Sequence, residues 1–171
     1  MKLRNLLRRL SGGVAPAGSG AIDDLAGRLT GIAPEQARFI AGFALLLSRI
    51  AAADHEVSGD EAAALERLVR EKTGLPPDQA ALVVDGARAH QRQHGGTEDF
   101  LVTRELAQRL PYEEKLSILD CLFAVAAADE RIRTTESNEL GRIANELRVE
   151  HRDLARLRTE YREFLAARTG L

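Results

Sequence analysis

Residues 43–68 read FALLLSRIAAADHEVSGDEAAALERL, and residues 118–143 read ILDCLFAVAAADERIRTTESNELGRI. Aligned by the shift that carries Asp54 onto Asp129, they share Leu47/Leu122, the AAAD runs 51–54 and 126–129, Glu61/Glu136, Leu65/Leu140 and Arg67/Arg142. Apolar character persists at Phe43/Ile118, Ile50/Val125, Val57/Ile132 and Leu68/Ile143. Four consecutive identities followed by a matched glutamate exceed what two unrelated helix–loop–helix segments share, so the pattern reads as an internal repeat. In each copy an apolar face at helical spacing leads into a short acidic loop and a second helix. The expected fold is all-α: a compact helical domain of two pseudo-symmetric helix–acidic loop–helix halves, packed about an approximate two-fold axis. The alanine triplets suit close helix crossings, because small side chains let backbones approach.

Outward from the repeat, the punctuation stays helical. Every proline lies in a linker or at a candidate helix start: Pro16, Pro34, Pro76, Pro77 and Pro111. Period-3.6 apolar faces predict helices over 22–29, 34–53, 59–73, 77–91, 98–109, 112–128, 135–147 and 151–167, and no window alternates as a strand would. Before them, KLRNLLRRL sets Leu3, Leu6, Leu7 and Leu10 against Lys2, Arg4, Arg8 and Arg9, and SGGVAPAGSG over 11–20 has linker composition. The chain therefore divides into a basic amphipathic segment with a flexible linker, 1–20, and a helical domain, 21–171. A disordered tail is the favoured reading of residues 1–10, since so short a helix is marginal alone; docking of the leucine stripe on an anionic membrane or on a partner is the alternative.

A formal net charge of −2, with five Phe, two Tyr and no Trp, leaves no footprint for nucleic acid. One cysteine excludes an internal disulfide and fits a reducing compartment. It is Cys121, which aligns with Leu46 on the core face of the repeat and is expected to act as a small buried hydrophobe. The longest apolar run, Phe39 to Ala53, is interrupted by Ser48 and Arg49 and falls short of the roughly 20 residues that span a bilayer. The basic N-terminus lacks a signal-peptide core. The expected location is the cytoplasm, with peripheral inner-membrane contact through residues 1–10.

Asp54, Glu61, Asp129 and Glu136 are the candidate metal ligands. The glutamates have a structural explanation: Ser58 to Glu61 forms a capping box, and in the second copy Thr134 can cap while Glu136 faces the positive end of the helix dipole. The aspartates are less easily explained. A carboxylate in a helix's last turn meets the negative dipole end, at a cost on the order of 0.5 kcal/mol. An Asx-turn at each would account for them, and so would convergence with glutamate on a hard cation, calcium or magnesium. An EF-hand is excluded, because its twelfth loop position would be Leu65 instead of a bidentate glutamate.

The doubled A-A-D-x-x-[hydrophobic]-x-x-x-E pattern resembles the tellurite-resistance protein B (TerB-like) family. The resemblance continues through LPYEEKLSILDCLFAVAAADERI and VEHRDLARLR, roughly residues 36–165. It implies a helical fold of pseudo-two-fold halves and an acidic surface that binds metal, with Asp54, Glu61, Asp129 and Glu136 as ligands. It also implies a part in responses to tellurite or other chemical stress with a protein partner, often membrane-associated. The chain departs from the family where glycine usually follows the aspartate, with His55 and Glu130 there, and Arg131 and Arg133 add positive charge to the second loop.

His90 and His94 have the i, i+4 spacing of a zinc pair, with Asp85 nearby, but read as solvated without an obvious third ligand. No G-x-S-x-G, P-loop, G-x-G-x-x-G or C-x-x-C occurs. The expectation is therefore a binding protein, not an enzyme: a divalent-cation-binding or stress-response interaction module. A metal-independent helical protein-interaction scaffold is the alternative, and a hydrolase using Asp54 and Glu61 a distant third.

Overall fold

The computed structural model describes residues 20–53, 59–128 and 130–165, with residues 59–61 described by backbone alone. The described residues form α1 (Ala21–Ala26), α2 (Pro34–Ala52), α3 (Gly59–Thr73), α4 (Pro77–His94), α5 (Asp99–Arg109), α6 (Tyr112–Ala126), α7 (Thr134–Glu146) and α8 (His151–Glu160). The all-α expectation holds. Prolines start the helices as their fixed φ favours, with Pro34 and Pro77 in the first turn and Pro111 at the N-cap of α6. The basic segment and most of the linker, residues 1–19, lie outside the described residues.

α2 is the axis of the molecule. Every residue from Phe39 to Ile50 is buried, and α1, α3, α4, α5, α6 and α7 all pack on it. Such enclosure needs apolar side chains on all faces, which FIAGFALLL supplies. Where α1 crosses α4, Gly86 lets the backbone come so close that a Cβ there would stand 2.3 Å from a methyl carbon of Leu25. The repeat is expressed in burial: Phe43/Ile118, Leu46/Cys121, Leu47/Leu122, Leu65/Leu140 and Val69/Ala144 are core in both copies. Cys121 is buried, as its alignment with Leu46 implies. Among the described residues no helix is long and apolar enough to cross a membrane.

Two expectations need correction. α8 stops at Glu160 instead of running to 167, of which the last two residues lie outside the described ones. Its end is set by tertiary contacts. Tyr161 stacks on Phe123 at 5.5 Å and donates its hydroxyl to Asp120 Oδ1 at 2.9 Å, and Ile132 pairs with Leu165 in an isolated parallel bridge. α2 and α6 close on C-caps Ala53 and Ala127, and the candidate aspartates beyond them, Asp54 and Asp129, lie outside the described residues. Thr134 is not the cap of α7; Arg133 is, and Thr134 is the first helical residue.

Candidate functional site

Of the four candidate ligands, Asp54 and Asp129 and the side chain of Glu61 lie outside the described residues, as do Val57 and the Ser58 cap. Glu136 is described. It is half-buried, and its Oε2 accepts the Arg133 backbone N–H at 2.8 Å, the reach-back half of a capping box. Among the described residues, no group of three or more His, Cys, Asp or Glu side chains is placed to hold a metal ion.

What the described residues do build is a cleft of about 620 Å3 at the C-terminal end of α2. Ala52 and Ala53 contribute from α2 and its cap, Gln91, Gly95 and Gly96 from the end of α4, Asp99 and Phe100 from the start of α5, and Thr135, Asn138, Glu139, Arg142 and Glu146 from α7. Ala51 to Ala53 are half-buried, and their small side chains leave room for this cleft and for a second one of about 450 Å3 between α2, α3 and α4.

The floor of the larger cleft is Arg49, 6% exposed. A buried guanidinium needs partners, because desolvating an unpaired charge costs several kcal/mol, on the order of 3–5 for a broken pair. Here it has a full set. Nη1 and Nη2 grip Glu146 in a two-pronged pair at 2.7 and 3.1 Å, Nε donates to Glu139, and Asp99 stands 3.8 Å from Nε. Thr103 donates its hydroxyl to Glu146 Oε2. Burial alone would raise the Glu146 pKa, but the hydrogen bonds from Arg49 and Thr103 outweigh it and hold the carboxyl below its ordinary range. Burial would likewise lower the Arg49 pKa, and the hydrogen bonds from Glu146 and Glu139 reverse that, keeping it charged. Sequence reading passed over this group. The available signal was Arg49 itself, a cation inside the most apolar run, which had to find carboxylates elsewhere in the chain.

The second acidic turn is finished differently. Ile132 is fully buried and its N–H bonds to the Phe164 carbonyl at 2.5 Å, so the chain after α8 clamps the turn. Burial first, then the bond to Asp120, raises the pKa of the Tyr161 phenol that anchors this clamp. Glu130, where the family usually has glycine, adopts φ 62 in the left-handed region. That backbone is the physical reason glycine suits the position.

Helices gathered on one apolar axis, with an acidic turn after α6 and a polar cleft at the end of α2, define an all-helical domain whose chemistry is concentrated at helix ends. The chain belongs to the TerB family: the family model described as Tellurite resistance protein TerB matches residues 40–159, more than half of its length. No curated protein and no solved structure matches the chain at a significant level.

Proposed function

We propose that this TerB domain is a divalent-cation-responsive interaction module and not an enzyme. In this reading Asp54, Glu61, Asp129 and Glu136 supply oxygen ligands to calcium or magnesium, and the adjoining cleft receives a protein partner, membrane-associated or not, in the response to tellurite or other chemical stress. One observation carries it: Ala53, next to Asp54, and Thr135, next to Glu136, line the same cleft. Carboxylate oxygen is the donor that hard dications prefer, and Arg49 does not compete for it, because Glu146 and Glu139 already take its charge. Arg131 and Arg133 beside Asp129 make the first turn the stronger of the two.

Thermal melts of wild type, Asp54→Asn and Glu61→Gln in millimolar calcium, magnesium or chelator test the reading. Wild type should melt higher with a cation than with chelator, and both variants should lose most of that rise. In chelator Asp54→Asn should be slightly more stable than wild type, because a carboxylate repulsion is gone. A wild-type Tm indifferent to all three conditions rejects the cation.

The metal-independent scaffold also has an observation in its favour, since Glu136 is engaged by the Arg133 N–H. In that case Asp54→Asn is neutral with or without cation, because asparagine replaces aspartate in an Asx-turn.

A further inference from the structure

We infer that the second cleft, between α2, α3 and α4, is a binding site for a small organic carboxylate with an aliphatic body. Its α2 wall is Ser48, Ala51 and Ala52, whose i, i+3, i+4 spacing sets them on one helix face. Leu65 of α3 adds apolar surface, and Arg88, Gln91 and Arg92 line it from α4. The repeat shows why the space is there. Ser48 aligns with Phe123, and Ala51 and Ala52 align with Ala126 and Ala127. In the second copy Phe123 is fully buried, with Tyr161 stacked on it at 5.5 Å. In the first copy a serine stands where that ring would, and about 450 Å3 stays open. Such a volume falls among sites that enclose small organic ligands, roughly 300–1,000 Å3.

The charge of the lining selects an anion. Arg88 and Arg92 stand one turn apart on α4, and no acidic side chain joins them among the described lining residues. Among the described residues neither is engaged by a carboxylate, unlike Arg38, Arg49 and Arg109, which all are. Arg88 is half-buried, and its Nε is shut off from solvent with no hydrogen-bond partner. Arg109 and Arg158 also carry an unbonded buried nitrogen, but Arg109 pairs with Glu105 and Arg158 donates to the Ser137 carbonyl. Arg88 has no such second engagement among the described residues, and a guanidinium in that state calls for an explanation. Arg49 shows the usual one, since its Nε donates to Glu139. A ligand carboxylate would serve Arg88 likewise, accepting from Nε and the adjoining Nη as from a fork. Arg92, exposed one turn on, adds attraction for the same anion. The aliphatic body gains by covering Ala51, Ala52 and Leu65. A cation finds no counter-charge there, and a bare inorganic anion leaves the apolar wall uncovered.

Isotope-labelled full-length protein would be titrated with sodium octanoate by NMR, beside Arg88→Gln, Arg92→Gln, Ala51→Leu and Arg152→Gln. Chelator is present throughout, so no cation takes part and the result stands apart from the acidic-turn reading. Wild type should bind saturably, with amide shifts centred on Ala51, Leu65 and Arg88. Arg88→Gln and Arg92→Gln should each weaken binding about tenfold, by loss of a charged hydrogen-bond donor. Ala51→Leu fills the cleft from a half-buried position and should weaken binding at least as much. Arg152→Gln, on the exposed surface of α8, should leave it unchanged. Circular dichroism before titration checks that each variant folds; should Arg88→Gln fail to, Arg92→Gln, on an exposed side chain, carries the same test. Octylammonium chloride, the same body with the opposite charge, and sodium acetate, the same head without the body, should each bind at least about tenfold more weakly than octanoate. Octanoate binding that does not saturate, or that Arg92→Gln leaves at wild-type affinity, overturns the assignment. So does octylammonium binding as tight as that of octanoate, which would mean that apolar surface alone is recognised.

Discussion

Position 49, near the end of α2, is a buried arginine; its repeat counterpart at the end of α6 is Ala124. The two helix ends share their AAAD sequence yet are completed by opposite means. At the first, a charge is satisfied by Glu139 and Glu146 from α7, the second copy's own helix. At the second, Ile132 is enclosed by apolar packing and by the chain after α8. The likeness of the two copies thus extends to the burial of their core positions and stops at the cleft, whose floor joins Arg49 to Glu139 and Glu146. A sequence repeat fixes what is alike in the two halves; a site at their junction depends on what is not.

Removing Arg49 should break this comparison most severely. Arg49→Ala leaves Glu139 and Glu146 facing each other without their cation, and is expected to cost about 3–5 kcal/mol in urea denaturation. A cost no larger than that of an ordinary surface change would mean the network is not what closes the first end. Next comes Ile132→Ala, expected to cost about 3 kcal/mol, because a fully buried side chain is lost where the clamp closes. Hydrogen exchange should show the Ile132 amide losing protection in that variant, while amides of α2 change little. A smaller effect distinguishes the two ends by pH. The folded-state pKa of Glu146 is depressed, so its contribution is present above the ordinary carboxylate value, about 4.3, and is lost as pH falls through the folded value. Melting temperature should fall across that acid range, and Glu146→Gln, though less stable at neutral pH, should show a shallower decline. The smallest effect is a gain: Glu130→Gly relieves a left-handed backbone and should stabilise by about 0.5–1 kcal/mol, read from the urea midpoint.

Much of the fold was legible because its signals are local. Proline at Pro34, Pro77 and Pro111 marks helix starts within a residue, and the repeat placed Cys121 in the core from Leu46 alone. Glu136 was legible as a helix-start carboxylate facing the dipole, but its reach back to the Arg133 N–H was not, because Thr134 reads as the cap. What could not be read depends on separation along the chain. Arg49 finds Glu139 and Glu146, 90 and 97 residues away, and no periodicity links them. α8 ends where Tyr161 reaches Asp120, 41 residues earlier, although its own sequence would continue the helix. Each miss is a tertiary contact overriding a local preference.

The enclosure of α2 has a consequence for how the helix is oriented. A helix with one wet face has its rotation chosen by water, but from Phe39 to Ile50 this one has no wet face. Turned by a few tens of degrees, it would still bury apolar surface on every side, so the hydrophobic effect itself does little to choose the setting, which is left to packing and polar contacts. The guanidinium has no such latitude: its planar fork meets Glu146 in one angular setting, and Glu139 must be reached in the same setting. Arg49 therefore serves α2 as an index mark, selecting a single rotational register for a rod that hydrophobicity alone would leave free to spin.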